Sequence, residues 1–160
     1  MQTSYALNAP TGLLGMPSED WLKQIDTVIP TTAVAVGKFV VYDTTAGQVP
    51  NKAMLPSAAV QITGPRRGGF VILDPSREGG VDYAALKPTP VMRKGRIWVL
   101  TETAIGRRVH PFIRFTVNGG NTPGNLRHDA DTDKAVEQTQ IITVTEAGAG
   151  ELVLVEIDLS

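Results

Sequence analysis

From Lys38 onward, apolar residues come in short runs separated by turn-forming residues: KFVVYD (38–43), AVQITG (59–64), GFVILD (69–74), PVMRKGRIWVLT (90–101), RVHPFIRFTV (108–117), QIITVT (140–145) and ELVLVEIDL (151–159). Runs this short, rich in β-branched residues and bounded by Gly, Pro, Asn and Asp, predict seven β segments. In the last, Val153, Val155, Ile157 and Leu159 share one face and Glu156 and Asp158 the other, the period of two that marks a half-buried strand. In the fifth, Val109, Pro111, Ile113, Phe115 and Val117 alternate with His110, Arg114 and Thr116, and Pro111 favours an edge or a bulge. Residues 97–100 are apolar on both faces, which predicts a central strand with Trp98 as a large core or interface anchor. RKGR (93–96) reads as a tight turn between two strands or a bulge within one, because Gly95 tolerates positive φ.

The first thirty or so residues follow no such pattern. Tyr5, Leu7, Leu13, Leu14, Met16 and Trp21 are isolated among Gly, Pro, Asn and Thr, as in an extended arm. PSEDWLKQI (17–25) offers a Ser N-cap, acids in the first turn, and Trp21, Leu22 and Ile25 on one side, so a short helix is expected after Ser18. An arm of about 20 residues reaches roughly 65 Å when extended, far more than covering its own body requires. The expected organisation is an extended N-terminal arm over 1–33 and one β-rich domain over 34–160. Its class is mainly β, a small jelly-roll-like sandwich or barrel.

Composition narrows the function more than the fold. The 160 residues are 42% hydrophobic and 19% charged, as in folded proteins, and 16 Gly with 11 Pro supply the many turns a β fold needs. A net charge of −1 gives no field that would recruit nucleic acid, and no apolar run approaches membrane-spanning length, so neither partner is expected. Cysteine is absent, which removes thiolate chemistry and Cys-based zinc sites.

One stretch, GNLRHDADTDKA (124–135), looks like chemistry. Asp129, Asp131 and Asp133 match the first three ligand positions of a calcium loop, but Lys134 stands where the sharp turn needs Gly and Gln140 where the bidentate Glu belongs. His128 and Asp129 are adjacent, and on a strand they point to opposite faces. The five serines lie in termini or loops without a nucleophile elbow, and the two histidines form no zinc motif. GPRRGG (64–69) and NGGNTPG (118–124) lack a phosphate-loop ending. No catalytic, metal or cofactor site is therefore expected, and the chain is not expected to be an enzyme. The aspartate stretch is instead a turn whose Arg127, Asp129 and Asp131 form ion pairs, either within the domain or with a neighbour.

Four pieces together resemble the cement, or decoration, proteins of tailed-phage capsids: GLLGM (12–16), VAVGKFVVYD (34–43), PVMRKGRIWVLTETAI (90–105), and residues 122–159 with their Arg-x-Asp-Ala-Asp turn, Gly/Ala loop and final Val/Leu strand. The residues at 107–115 and the Pro- and Arg-containing middle, 50–89, depart from that pattern. The resemblance implies a non-enzymatic protein on the outer capsid surface of the virion, made in the host cytoplasm. It would bridge neighbouring copies of the major capsid protein and stabilise the expanded shell. It also implies self-association, with a trimer favoured over a dimer. The expected capsid or subunit contacts are Tyr5, Leu13, Leu14, Met16 and Trp21 of the arm and Arg127, Asp129 and Asp131 of the turn. The competing readings are a carbohydrate- or receptor-binding β-sandwich, which needs an exposed aromatic platform, and a metal-dependent hydrolase built on the aspartates.

Overall fold

A computed structural model of the chain describes residues 12–18, 22–45, 51–74, 76 and 82–159. The strands are β1 (Gln24–Pro30), β2 (Val34–Ala35), β3 (Phe39–Tyr42), β4 (Lys52–Met54), β5 (Arg67–Val71), β6 (Asp82–Tyr83), β7 (Thr89–Leu100), β8 (Phe112–Arg114), β9 (Leu126–Arg127), β10 (Ala135–Glu137), β11 (Ile141–Thr143) and β12 (Leu152–Asp158), with one short helix, α1 (Ala59–Thr63). Seven strands form the main sheet in the order β1-β4-β3-β5-β7-β12-β11, and β1 also pairs with β7. A three-stranded sheet, β10-β8-β9, and the pair β2-β6 complete a sandwich-like, mainly β body, the class expected from the sequence.

Two apolar clusters lie on opposite sides of the central strands. Phe39, Val41, Phe70, Met92, Ile97 and Val99 enter one, together with Ile113, Leu126, Val153 and Val155. Val40, Val71 and Val91 enter the other with Val28, Val34, Val36 and Tyr83. Burial on both faces is why β3 and β5 read as continuous apolar runs rather than alternating ones. Phe39 and Phe70 meet edge to face at 5.2 Å, which pins the register of the two strands.

β7 is the longest element because its two halves serve different partners. Its first half pairs with β1 (Val28 opposite Thr89) and β5 (Phe70 opposite Met92), and its second half with β12, from Lys94–Asp158 to Leu100–Leu152. Gly95 stands at the changeover with φ 129, so RKGR is an irregularity inside one strand, not a turn. On β12 the expected alternation holds: Val153, Val155, Ile157 and Leu159 are buried.

Several expected elements differ. Residues 59–64 are not a strand but hold α1: the Gln61 side chain accepts hydrogen bonds from the backbone N–H groups of Ser57 (2.7 Å) and Ala58 (3.1 Å), which organises a helical turn that a β-propensity reading misses. The helix buries Ile62, whose carbonyl accepts from the buried Gln138 side chain at 2.6 Å. The helix expected after Ser18 falls partly on residues 19–21, outside the described residues; residues 22 and 23 carry no regular structure, and Gln24 and Ile25 open β1. A helix that short is marginal, whereas Thr27, Val28 and Ile29 are β-branched and gain ladders, the first two with β7 and Ile29 with β4. The strand expected over 108–117 contracts to β8, preceded by Pro111 and by Arg108 at φ 62. Strands of two or three residues, such as β2, β4, β6, β9 and β10, are too short for a periodic signal.

Replacing Gly95 by Val forces a β-branched residue into a positive-φ position, and we expect a loss of about 1–3 kcal/mol in unfolding free energy by urea titration; an unchanged midpoint would show that β7 does not need this conformation.

Candidate functional site

Among the described residues, the one concentration of charge in the interior is built by three segments. β8 and β9 run antiparallel with Ile113 opposite Leu126 and Phe112 opposite Arg127. Ile113 and Leu126 enter the core, so Arg114 and Arg127 share the other face. The chain leaving β7 bridges β9 at Thr101–Leu126, and the Glu102 N–H donates to the Leu126 carbonyl at 2.8 Å, which sets the Glu102 carboxylate beside both guanidinium groups.

Arg114 grips Glu102 with two donors, Nε to Oε1 and Nη2 to Oε2, each at 2.8 Å. Arg127 Nη1 lies 3.2 Å from Glu102 Oε2 and 2.9 Å from Asp131 Oδ2, and Arg114 Nη2 donates to the same Asp131 oxygen at 2.6 Å. Arg127 also pairs with Asp129, through Nε at 2.8 Å and through Nη2. Side-chain exposure is 0% for Arg114, 4% for Glu102 and 8% for Arg127, rising to 20% at Asp131 and 49% at Asp129, so the cluster runs from the interior to the surface.

Asp131 is held in an unusual turn. Asp131, Thr132 and Asp133 all have positive φ (47°, 52° and 63°), closed by the N–H groups of Lys134 and Ala135 on the Ala130 carbonyl, both at 3.0 Å. Asp tolerates this region and Thr does not, so the turn is strained at Thr132. The contacts of Asp131 offset that strain. A hydrogen bond from Asn118 Nδ2 (2.9 Å), then the one from Arg114, then the nearby charges of Arg127 and Arg114, lower its carboxyl to about 2. Glu102, in turn, raises the Arg114 guanidinium above its ordinary value by hydrogen bonding. Chemically the cluster is saturated. Asp129 and Asp131, two of the three candidate calcium ligands, are taken up by guanidinium donors, and among the described residues no three His, Asp or Glu side chains converge.

The predicted contact residues divide between two places. Arg127, Asp129 and Asp131 come together as described and pair within their own domain. Of the arm residues, Tyr5 and Trp21 lie outside the described residues. Residues 12–18 run antiparallel along the second half of β7: Gly15 N–H donates to the Trp98 carbonyl (2.7 Å), Trp98 N–H to Met16 (3.1 Å) and Ser18 N–H to Arg96 (2.8 Å). Gly12 is buried against the Trp98 indole, which a Cβ would approach to 2.2 Å. Leu14 packs on the second apolar cluster, Met16 is half-buried and Leu13 is 62% exposed. Sequence reasoning missed Glu102, Arg114 and Asn118. Alternation set Arg114 with the polar positions of its strand, yet among the described residues it is the largest fully buried side chain. The available signal was the pairing of the Glu102 turn with the Arg-x-Asp-Ala-Asp turn.

The β body thus carries one internally paired charge cluster, and an N-terminal segment is strapped along its central strand. Residues 1–158 match the family described as structural cement protein (E217 gp24/Pam3 gp6). The chain belongs to this phage cement family, and its role is that of a capsid cement, or decoration, protein on the outside of the virion. Among solved structures it is similar in fold to a chain of the capsid of Myoviridae phage XM1, with TM-score 0.72 and 13% identity over 99% of this chain and 97% of that one. It is also similar to the head fiber gp8.5 N base of bacteriophage phi29, with TM-score 0.49 and 16% identity over 87% of this chain and 97% of that one. No curated protein matches the chain.

Two outcomes follow from the cluster. Arg114→Ala leaves Glu102 buried with only the Arg127 donor and is expected to remove about 3–5 kcal/mol of stability in urea unfolding, whereas a loss below about 1 kcal/mol, the usual size for exposed pairs, would mean the site is wet. Because the Asp131 carboxyl is lower in the folded chain than its unfolded value of about 3.9, its stabilisation is complete above that value and is lost as pH falls towards about 2. Asp131→Asn should therefore lower stability at neutral pH and shrink the decline between pH about 4 and about 2, read by thermal melts across pH.

Proposed function

We propose that the protein binds the outer surface of a phage head by bridging neighbouring major capsid protein subunits, and that it stabilises the expanded capsid by binding alone, with no enzymatic step, metal or cofactor. In this reading residues 1–33 act as the arm, anchored by β1 in the main sheet, and residues 34–160 as the body. Tyr5, Leu13, Leu14, Met16 and Trp21 are the arm's anchors, and Asp129 with Arg127 and Asp131 forms a rigid polar turn facing the shell. Self-association belongs to the same reading, with a trimer as the sequence expectation.

The observation that carries this reading is the seating of residues 12–18. Leu14 is tucked into the body while its neighbour Leu13 stays 62% exposed, so the strap is fixed to β7 and presents apolar surface outward. Exposed apolar side chains on a fixed strap are what a partner surface would cover. The stabilisation follows from linkage. A ligand that binds only the expanded lattice contributes about 2.7 kcal/mol per site at a hundredfold excess over its Kd, and a shell with many sites sums that term. Weak individual contacts are then enough to oppose expansion beyond the mature state.

Undecorated capsids mixed with the full chain and imaged by electron cryomicroscopy should show ordered density on the outer surface. A chain lacking residues 1–11 should bind the same capsids at least about tenfold more weakly, as expected when one of two linked contacts is lost. Equal binding would remove residues 1–11, and Tyr5 with them, from the mechanism, and absence of outer-surface density would remove the cement reading.

A further inference from the structure

Between the bridge of Ile105 to Ala147 and β8, residues 106–110 form a loop that is exposed at every position. Its backbone is nonetheless fixed, largely by one buried residue of β11. The Thr143 hydroxyl donates to the Gly106 carbonyl (2.8 Å) and accepts the Val109 N–H (3.0 Å). The Thr143 carbonyl accepts the Arg108 N–H (2.9 Å), and the Thr143 N–H donates to the Val109 carbonyl (3.0 Å). The His110 ring is held in turn by Nδ1–H on the Ile141 carbonyl at 2.8 Å. This geometry puts Arg108 at φ 62, a conformation that glycine adopts freely and that strains an arginine. At Asp131 comparable strain is offset by ion pairs, but Arg108 has no such return. Among the described residues neither its guanidinium nor that of Arg107 makes a hydrogen bond or an ion pair. Arg93, Arg96, Arg114 and Arg127, by contrast, each pair with a carboxylate.

Backbone strain kept at a residue whose side chain has no partner in its own chain points to a partner outside it. We propose that residues 107–110 are a cationic contact loop that seats on an acidic patch of a major capsid protein subunit. The loop contact rests on the cement reading and adds to it the place and the chemistry of one contact. Guanidinium groups suit that contact because their fork of donors matches a carboxylate, and Val109, 39% exposed between Arg108 and His110, adds apolar surface. The clamp on Thr143 means that little backbone entropy is lost when the loop binds. Carboxylates fit better than nucleic-acid phosphates, since the chain carries a net charge of −1 and supplies no wider basic field. The place of the loop also fits a bridging role. Hydrogen bonds order one layer as the strap of residues 12–18, β7, β12, β11 and then this loop. Strap and loop therefore stand at opposite edges, four strand spacings or about 19 Å apart. One contact is apolar and the other cationic, and linking them on a rigid body multiplies two weak affinities.

Binding of the full chain to undecorated capsids, measured across salt concentrations, tests the contact. Arg107→Glu combined with Arg108→Glu should weaken binding by about tenfold or more, because like charges then face each other. Added salt should weaken binding of the unaltered chain but not of this variant. Arg107→Lys combined with Arg108→Lys keeps the charge and should recover most of the affinity. Arg108→Gly separates strain from function: its melting temperature should be unchanged or higher, while its capsid affinity should fall by about threefold or more. A lower melting temperature for Arg108→Gly would assign the guanidinium to the chain's own fold and overturn the proposal. Equal binding by the double Glu variant, on capsids that the unaltered chain decorates, overturns the loop contact and leaves the cement role standing. An unaltered chain that decorates nothing overturns both. Binding to a labelled DNA duplex that is tighter than binding to capsids, and that the double Glu variant loses, would assign the loop to phosphate and overturn the acidic protein partner.

Discussion

A carboxylate taken out of water has to be surrounded by donors, and Glu102 meets that requirement with two guanidinium groups from two different strands. Much of the second half of the molecule depends on this constraint. The turn after β7, β8 and β9 are each too short to hold a register by ladder bonds alone, and only one arrangement of the three presents Arg114 and Arg127 to the same carboxylate. Ion pairs this deep are a poor source of net stability compared with apolar packing of the same volume, because both charges lose their hydration. What they supply here is specificity, since any slip of β8 against β9 leaves a buried charge without its partner. Fork-shaped Arg pairing suits that role better than Lys would, because two donors fix direction as well as distance.

The same pairing engages two aspartates of the acidic surface turn, Asp129 and Asp131, with guanidinium donors. Asp131 reconciles a strained left-handed backbone with three donors, and its low protonation range keeps it charged throughout the neutral range. The turn is stiff because its strain and its ion pairs oppose each other. A cement protein benefits from stiffness at the surface, since a contact formed by a pre-ordered turn loses little conformational entropy on binding.

β7 links this cluster to the rest of the fold. Its first half belongs to the sheet region between the two apolar clusters, and its second half carries the N-terminal strap on one edge and β12 on the other. Gly95 allows one strand to do both, by changing its course without ending. Trp98 illustrates the result. Its backbone holds the strap, its indole lies against Gly12, and it stands in one row between Met16 and Leu154.

The amino-acid sequence alone determined the class of fold, the strand identity of β3, β5, β7, β11 and β12, and which residues of β12 are buried, because period-two alternation and apolar runs are local consequences of strand geometry. It also carried the family, in the order and spacing of four segments. Gly95 was legible as an irregularity but not as a bulge rather than a turn, since both need the same residue. α1 was invisible because one glutamine side chain, not propensity, organises it. The site was half legible: Arg127, Asp129 and Asp131 stood out together, while Arg114 and Glu102 did not. Alternation says which residues share a face of a strand. Whether that face looks to water or to another charged segment is decided only when distant parts of the chain pack, and for Arg114 the tertiary structure placed a glutamate there.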